Sequence, residues 1–152
     1  MNIRGAKTGK PEDRAIMIPD LQASLLCDDV RQERNGKFIL IGIFDGLAVQ
    51  KLPTRFHRIC VVNRWCCGQG NFKQKTRIIG PDGNVAIAEG KEIDVKLANP
   101  HQTATSIEVF MNTPFEKDGV YWIEVLLDDQ LRLRYPLVMR LVEPSSQPPP
   151  VG

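Results

Sequence analysis

Apolar residues recur at every second position in about eight short runs between residues 21 and 142. The last run is the clearest, and one parity of it holds Leu131, Leu133, Tyr135, Leu137, Met139 and Leu141. Successive side chains of a β-strand point to opposite faces, so this spacing predicts one buried face and one solvent-facing side. Long helices are not predicted, because no window repeats its apolar residues at three-and-four spacing beyond two turns.

Turn residues separate the runs. Asn35-Gly36 predicts a type I′ hairpin turn, in which both central residues need positive φ. Pro81-Asp82-Gly83 predicts another chain reversal, since Pro presets its φ and Gly accepts a positive one. The predicted strands span 21–28, 37–45, 56–66, 71–79, 84–96, 104–112, 120–128 and 131–142. This arrangement predicts an all-β fold, an antiparallel two-sheet sandwich of about 7–9 strands.

Gly119 is followed two positions later by Tyr121 at the start of a late strand. This pattern resembles the tyrosine corner of immunoglobulin-like domains, in which the hydroxyl hydrogen-bonds to nearby backbone. It favours immunoglobulin-like, Greek-key connectivity for the sandwich.

The 152 residues predict one domain that occupies 18–142. We expect a flexible tail at 1–17 and a Pro-rich tail at 143–152. The net charge of +2 is small and not clustered, so nucleic acid is not a predicted partner. No run approaches a membrane span, and no apolar segment follows the basic N-terminus as in a secretory signal. We therefore expect a cytoplasmic protein whose cysteines are thiols.

The residues that most often carry metal or nucleophilic chemistry are Cys27, Cys60, Cys66, Cys67, His57 and His101. A zinc site is not predicted, because Cys60 and Cys66 lie roughly 20 Å apart along one strand and no CxxC knuckle is present. The cysteines are interpreted as small apolar residues in strands. No motif places a nucleophile beside a histidine, so no catalytic residue and no cofactor are predicted.

Two aspartate pairs leave two interpretations open. Asp28-Asp29 follows the first predicted strand and Asp128-Asp129 follows the seventh. Odd-numbered strands of an alternating sheet end on the same side, so the pairs are expected at one pole. Carboxylates are preferred calcium ligands, but aspartate is also common in hairpin turns, where it forms local hydrogen bonds. The turn interpretation is preferred, and Asp28, Asp29, Asp128 and Asp129 remain the candidate cation ligands.

Two rows of basic residues alternate with other residues on predicted strands. They are Lys73, Lys75 and Arg77, and Arg132, Arg134 and Arg140. Neither row interleaves aromatic residues as single-stranded nucleic-acid readers do. Both rows are interpreted as exposed sheet faces, where such charges deter edge-to-edge association.

Several segments resemble a small bacterial family that is known only as a domain of unknown function. They are Cys27-Asp28-Asp29-Val30-Arg31, Gly36-Lys37, Leu40–Asp45, Pro81-Asp82-Gly83, Gly119-Val120-Tyr121 and Tyr135-Pro136-Leu137. The resemblance covers roughly residues 18–142. It implies a β-sandwich and a bacterial origin, and it brings no established activity and no functional residue.

The leading functional hypothesis is a non-enzymatic module that binds a protein partner or itself. Val138, Val142 and Trp122 are the candidate contact residues. The alternatives are a sandwich that binds calcium or an anionic surface through the aspartates, and an enzyme whose site is assembled from distant residues. The sequence leaves a small-molecule ligand undefined.

Overall fold

The segments with alternating apolar residues form β-strands. The computed structural model describes residues 15–144 of the chain. These residues form ten strands and no helix, which confirms the all-β prediction. The strands are β1 (Asp20–Gln32), β2 (Phe38–Phe44), β3 (Gly46–Val49), β4 (Thr54–Cys66), β5 (Gly70–Ile79), β6 (Ala86–Glu89), β7 (Ile93–Leu97), β8 (Ala104–Phe115), β9 (Gly119–Leu127) and β10 (Gln130–Leu141).

The strands form two sheets, as predicted. The four-stranded sheet has the order β2-β1-β4-β8, and the six-stranded sheet has the order β3-β10-β9-β5-β6 with β7 also paired to β5. All pairs are antiparallel except β3 with β10, which run parallel. In immunoglobulin-like sandwiches, strands B and E share one sheet and strands C, F and G share the other. In this protein β4 and β8 correspond to strands B and E and share one sheet. The strands β5, β9 and β10 correspond to C, F and G and share the other sheet. The predicted immunoglobulin-like connectivity is therefore confirmed.

Two strand predictions are wrong in detail. The predicted strand 84–96 is divided into β6 and β7 at Gly90. The Gly90 N–H donates to the Thr76 carbonyl at 2.8 Å, and a Cβ at this position would lie 1.9 Å from Oε2 of Glu108. The chain therefore leaves the ladder to pass over a buried carboxyl group. The short strand β3 was not predicted, because four residues are too few to establish a period.

The turn predictions differ in outcome. At Pro81-Asp82-Gly83, the Gly83 N–H donates to the Gly80 carbonyl at 2.9 Å and Gly83 has φ +84, which confirms the reversal. The type I′ turn at Asn35-Gly36 is wrong, because only Gly36 has positive φ. The Glu33 N–H instead donates to the Lys37 carbonyl at 2.8 Å, which makes this a three-residue loop with glycine in the left-handed position.

Burial along β10 follows the predicted parity only at its centre. Leu137 and Met139 are buried, whereas Leu131 and Leu141 are about half exposed. The pairing with β9 shifts register just after Leu131, and β3 covers only Val138–Leu141. The prediction of one continuous buried face is therefore wrong at both ends of this strand.

The interior between the sheets contains two large anchored aromatic residues. Trp65 is fully buried, and its Nε1–H donates to Oε1 of Gln74 at 2.7 Å. The Tyr121 hydroxyl donates to the Lys117 carbonyl at 2.6 Å, which confirms the predicted tyrosine corner. Burial raises the pKa of Tyr121 above its ordinary value, so the hydroxyl remains a donor.

Most of the predicted tail residues lie outside the described part, which leaves out 1–14 and 145–152. Within it, Met17 and Gln69 exchange two backbone hydrogen bonds of 2.9 Å. Over residues 15–144 there is no helix of the length and apolarity needed to cross a membrane.

Candidate functional site

A row of exposed apolar side chains lies on β2, which pairs with β1 alone among the described strands and therefore forms an edge. Ile39, Ile41 and Ile43 alternate along it and are 44%, 43% and 57% exposed. The segment Phe38–Phe44 contains no charged residue and no proline. Edge strands usually carry such residues, which discourage pairing with another chain. We call this segment the β2 edge.

Glycine allows β1 and β2 to approach closely in the middle of their hairpin. Gly42 has φ +69, and a Cβ there would lie 2.2 Å from Oδ2 of Asp28. The pairing register nevertheless stays constant from Leu26 opposite Phe44 to Gln32 opposite Phe38. The β2 edge therefore continues as one ladder despite the unusual backbone at Gly42.

The hairpin packs on the outer side of its own sheet. The β1–β4 pairing ends where Cys27 lies opposite Cys60. Leu26 belongs to the core between the sheets, so the adjacent Cys27 faces outward. Cys27 is still fully buried, because Val30 and Leu40 of the hairpin pack over it together with Cys60 and Val62. The pKa of the Cys27 thiol is raised, chiefly by burial and to a smaller extent by the nearby Cys60.

A cavity of about 550 Å³ lies beneath the tip of this hairpin. Leu25 and Val62 contribute apolar lining from the sheet, Phe38 and Leu40 contribute it from the hairpin, and Arg64 lies at the same cavity. The β1–β2 hairpin is therefore a separate layer on one face of the sandwich, and β2 is its outer margin.

The first aspartate pair lies within a strand, because β1 continues to Gln32. Asp28 contacts Gly42. Asp29 binds Nε of Arg31 at 2.8 Å and a terminal nitrogen of Arg58 at 3.0 Å. The hydrogen bond from Arg31, then that from the Val30 N–H, lowers the pKa of Asp29. The prediction that this pair follows the first strand is wrong.

The second aspartate pair forms the turn between β9 and β10. Asp128 and Asp129 both have positive φ, 48° and 64°, as a two-residue type I′ turn requires. Oδ1 of Asp128 accepts the Lys73 N–H at 2.8 Å. Asp128 therefore connects the β9–β10 turn to β5 through a residue that is distant in sequence.

The two pairs are not brought together at one pole. Asp29 contacts Arg58, which lies eight residues before the end of β4 at Cys66. Asp128 contacts Lys73, which lies three residues after the start of β5. The two levels are measured along the strands from the β4–β5 connection. At 3.3 Å per residue, these levels differ by roughly 17 Å. Within residues 15–144, no group of three or more His, Cys, Asp or Glu residues could hold a metal ion.

The cysteines and histidines occupy separate places. All four cysteines lie in the described part of the chain and are free thiols. Cys27 and Cys60 face each other across β1 and β4, a proximity that the sequence does not reveal. Cys67 is exposed and has φ +60. His57 and His101 are both exposed, the first on β4 and the second in the loop before β8.

A polar network crosses the interior. Gln74 accepts hydrogen bonds from Trp65 and Ser106 at 2.7 and 2.9 Å, and its Nε2–H donates to Oε1 of Glu108 at 3.1 Å. Burial raises the pKa of Glu108, although hydrogen bonds from Thr76 and Gln74 oppose the shift. Glu108 lines a cavity of about 610 Å³ between β6–β7 and β8, and neither histidine lines it.

The contact residues suggested by the sequence are less accessible than the β2 edge. Val138 is half-buried and lies between Gly46 and Val120 on its two neighbouring strands. The Arg134 guanidinium lies 4.7 Å from the centroid of Trp122 and covers that ring. Val142 is 40% exposed and follows the last residue of β10.

Sequence reasoning did not single out the β2 edge. A signal was present, because seven residues run from Phe38 to Phe44 without a charge or a proline. Such a run is equally typical of a strand buried at the centre of a sheet. Only the strand order establishes that β2 lies at an edge.

The chain was compared with curated proteins, solved structures and protein families. None of the curated proteins matches the chain. An immunoglobulin-like protein from Pseudomonas aeruginosa is among the similar solved structures, with 15% identity, a TM-score of 0.37, and coverage of 81% of this chain and 97% of its own. The family of unknown function DUF6941 matches residues 22–140. The chain belongs to this family.

Proposed function

We propose that this protein is a non-enzymatic interaction module that binds an extended polypeptide strand along the β2 edge. The observation that carries the proposal is a seven-residue edge strand with three exposed isoleucines and no charge. The binding unit is the sandwich of residues 18–142, with 1–17 and 143–152 outside it.

Strand addition explains both affinity and selectivity. An added strand forms main-chain hydrogen bonds with the free side of β2, and its alternate side chains meet Ile39, Ile41 and Ile43. Covering these half-exposed isoleucines contributes about 1 kcal/mol each. The edge is preorganised, because β1 holds β2 in one pairing register before any strand binds.

The remaining surface supports a binding role over catalysis. His57 and His101 lie on separate elements, and the two cavities described above contain neither residue. The Glu108 carboxyl group is engaged by uncharged Gln74 and Thr76. Four free thiols support a reducing compartment, and we place the protein in the bacterial cytoplasm.

A labelled peptide with the sequence of residues 37–45 provides the test, measured by fluorescence anisotropy. We expect saturable binding to the wild-type protein and no binding to Ile41→Lys. The matched control peptide carries N-methyl groups on alternate amides, which removes the ladder donors but keeps the side chains. Equal binding of both peptides would contradict strand addition, as would equal binding of wild type and Ile41→Lys.

A further inference from the structure

We propose that the strand bound by the β2 edge is β2 of a second copy of this chain, paired antiparallel about a two-fold axis at Ile41. This inference rests on the proposed strand binding and names its partner. The result joins the β1–β2 hairpins of the two copies into one four-stranded ladder.

The sequence of β2 is nearly the same in both directions. Phe-Ile-Leu-Ile-Gly-Ile-Phe, read backwards, exchanges only Leu40 and Gly42. Antiparallel pairing centred on Ile41 therefore places Phe38 opposite Phe44 of the second copy, and Ile39 opposite its Ile43. Residues directly opposite each other share a face, so six isoleucines from the two copies form one row.

The flanking charges select this register. Lys37 precedes the strand and Asp45 follows it, and both are exposed. Neither forms an ion pair with any other residue between 15 and 144. In the register centred on Ile41, Lys37 of each copy lies opposite Asp45 of the other, so two opposite-charge pairs form. Moving the axis to Leu40 or to Gly42 removes both pairs.

The two-fold axis also sets the extent of the contact. It places Leu40 opposite Gly42 of the second copy, and the Asp28 side chain of each copy lies against its own Gly42. An isologous two-fold contact closes after two copies, because each copy uses its single β2 edge. A seven-residue strand pair is at the low end of stable interface sizes, so we expect an affinity of roughly micromolar Kd.

Charge exchange tests the register in the full-length protein by sedimentation velocity at low salt. We expect Lys37→Glu alone and Asp45→Lys alone to weaken self-association about 10–100-fold, because each places like charges opposite each other twice. Mixing the two variants in equal amounts should restore a dimer. In the mixed pair the introduced glutamate of one copy meets the introduced lysine of the other, and the native Asp45 meets the native Lys37. The double variant Lys37→Glu/Asp45→Lys should also dimerise alone.

The outcomes separate this inference from the proposed function. A wild-type monomer at every concentration that still binds the 37–45 peptide would overturn self-pairing and leave strand binding intact. A monomer that binds no peptide would overturn both. A dimer that is insensitive to the single exchanges, or that is not restored by mixing, would overturn the register.

Discussion

The two sheets of the sandwich differ in the side chains that they expose to solvent. On the six-stranded sheet, Lys73, Lys75 and Arg77 alternate along β5, and each has an acidic partner: Asp94, Glu89 and Glu124. On the four-stranded sheet, β2 offers three isoleucines and no charge over seven residues. The basic row of β5 is paired with acidic side chains, whereas β2 leaves an apolar row exposed. This difference is the basis of the proposal that β2 binds another chain.

The largest expected effect on self-association comes from placing a basic side chain in the middle of the β2 edge. Ile41→Lys places two ammonium groups opposite each other at the two-fold axis, so we expect self-association to weaken by about 100-fold or more. Light scattering across a concentration series measures this. The matched control is Val109→Lys on β8, because Val109 is also 43% exposed and belongs to the other edge strand of the same sheet. Equal weakening by both variants would contradict the assignment to β2.

The converse change removes charge from the six-stranded sheet. Glu124 is nearly buried and binds Arg77 at 2.6 Å and Arg134 at 3.4 Å. We expect Glu124→Gln to lower the free energy of unfolding by about 1–3 kcal/mol, because charge-assisted hydrogen bonds are lost. Urea denaturation measures the loss. Self-association should not change, and a weaker dimer would show that the two surfaces are not independent.

The tyrosine corner anchors the start of β9 in the charged sheet. Tyr121→Phe removes the donor to the Lys117 carbonyl and keeps the ring packed edge-on against Phe115. We expect a decrease of about 1–2 kcal/mol in the free energy of unfolding and an unchanged dimer. Chemical denaturation together with light scattering checks both parts. A loss below the measurement error would mean that the hydrogen bond contributes no net stability.

The smallest expected effect is a pH dependence at the base of the apolar hairpin. Asp29 lies opposite Ile41, and its pKa is lowered from the ordinary 3.8 chiefly by Arg31. Folding therefore favours the carboxylate, so its stabilisation is present above about pH 4 and is lost as pH falls through the lowered folded pKa. Melting temperatures measured from neutral to acid pH should fall more steeply for wild type than for Asp29→Asn. Parallel curves would contradict this role.

How much the sequence predicted depended on whether the signal was local. The Pro81 reversal and the tyrosine corner follow from residues that are close in sequence, and both were predicted. The turn type at Asn35-Gly36 was wrong although its signal is also local, because the loop has three residues and not two. Gly90 interrupts a strand because the buried Glu108 lies beneath it, a contact between residues far apart in the chain. The first aspartate pair was misplaced for another reason: pairing with β2 extends β1 four residues beyond its predicted end at Asp28.

The β2 edge shows the same limit for function. The isoleucines are visible in the sequence, but their meaning depends on which strands flank β2. Two features of the proposed contact, the near-symmetric strand and its flanking Lys37 and Asp45, can be read from the sequence only after the structure shows that this strand is an edge.

Hydrogen–deuterium exchange tests most directly whether β2 is the contact. The protein is measured well below and well above its association concentration, and the amides of Phe38–Phe44 are compared with those of β8, the opposite edge of the same sheet. Slower exchange confined to β2 at high concentration is the predicted result. Unchanged exchange in β2, with protection appearing in β8 or on the charged sheet, would contradict it.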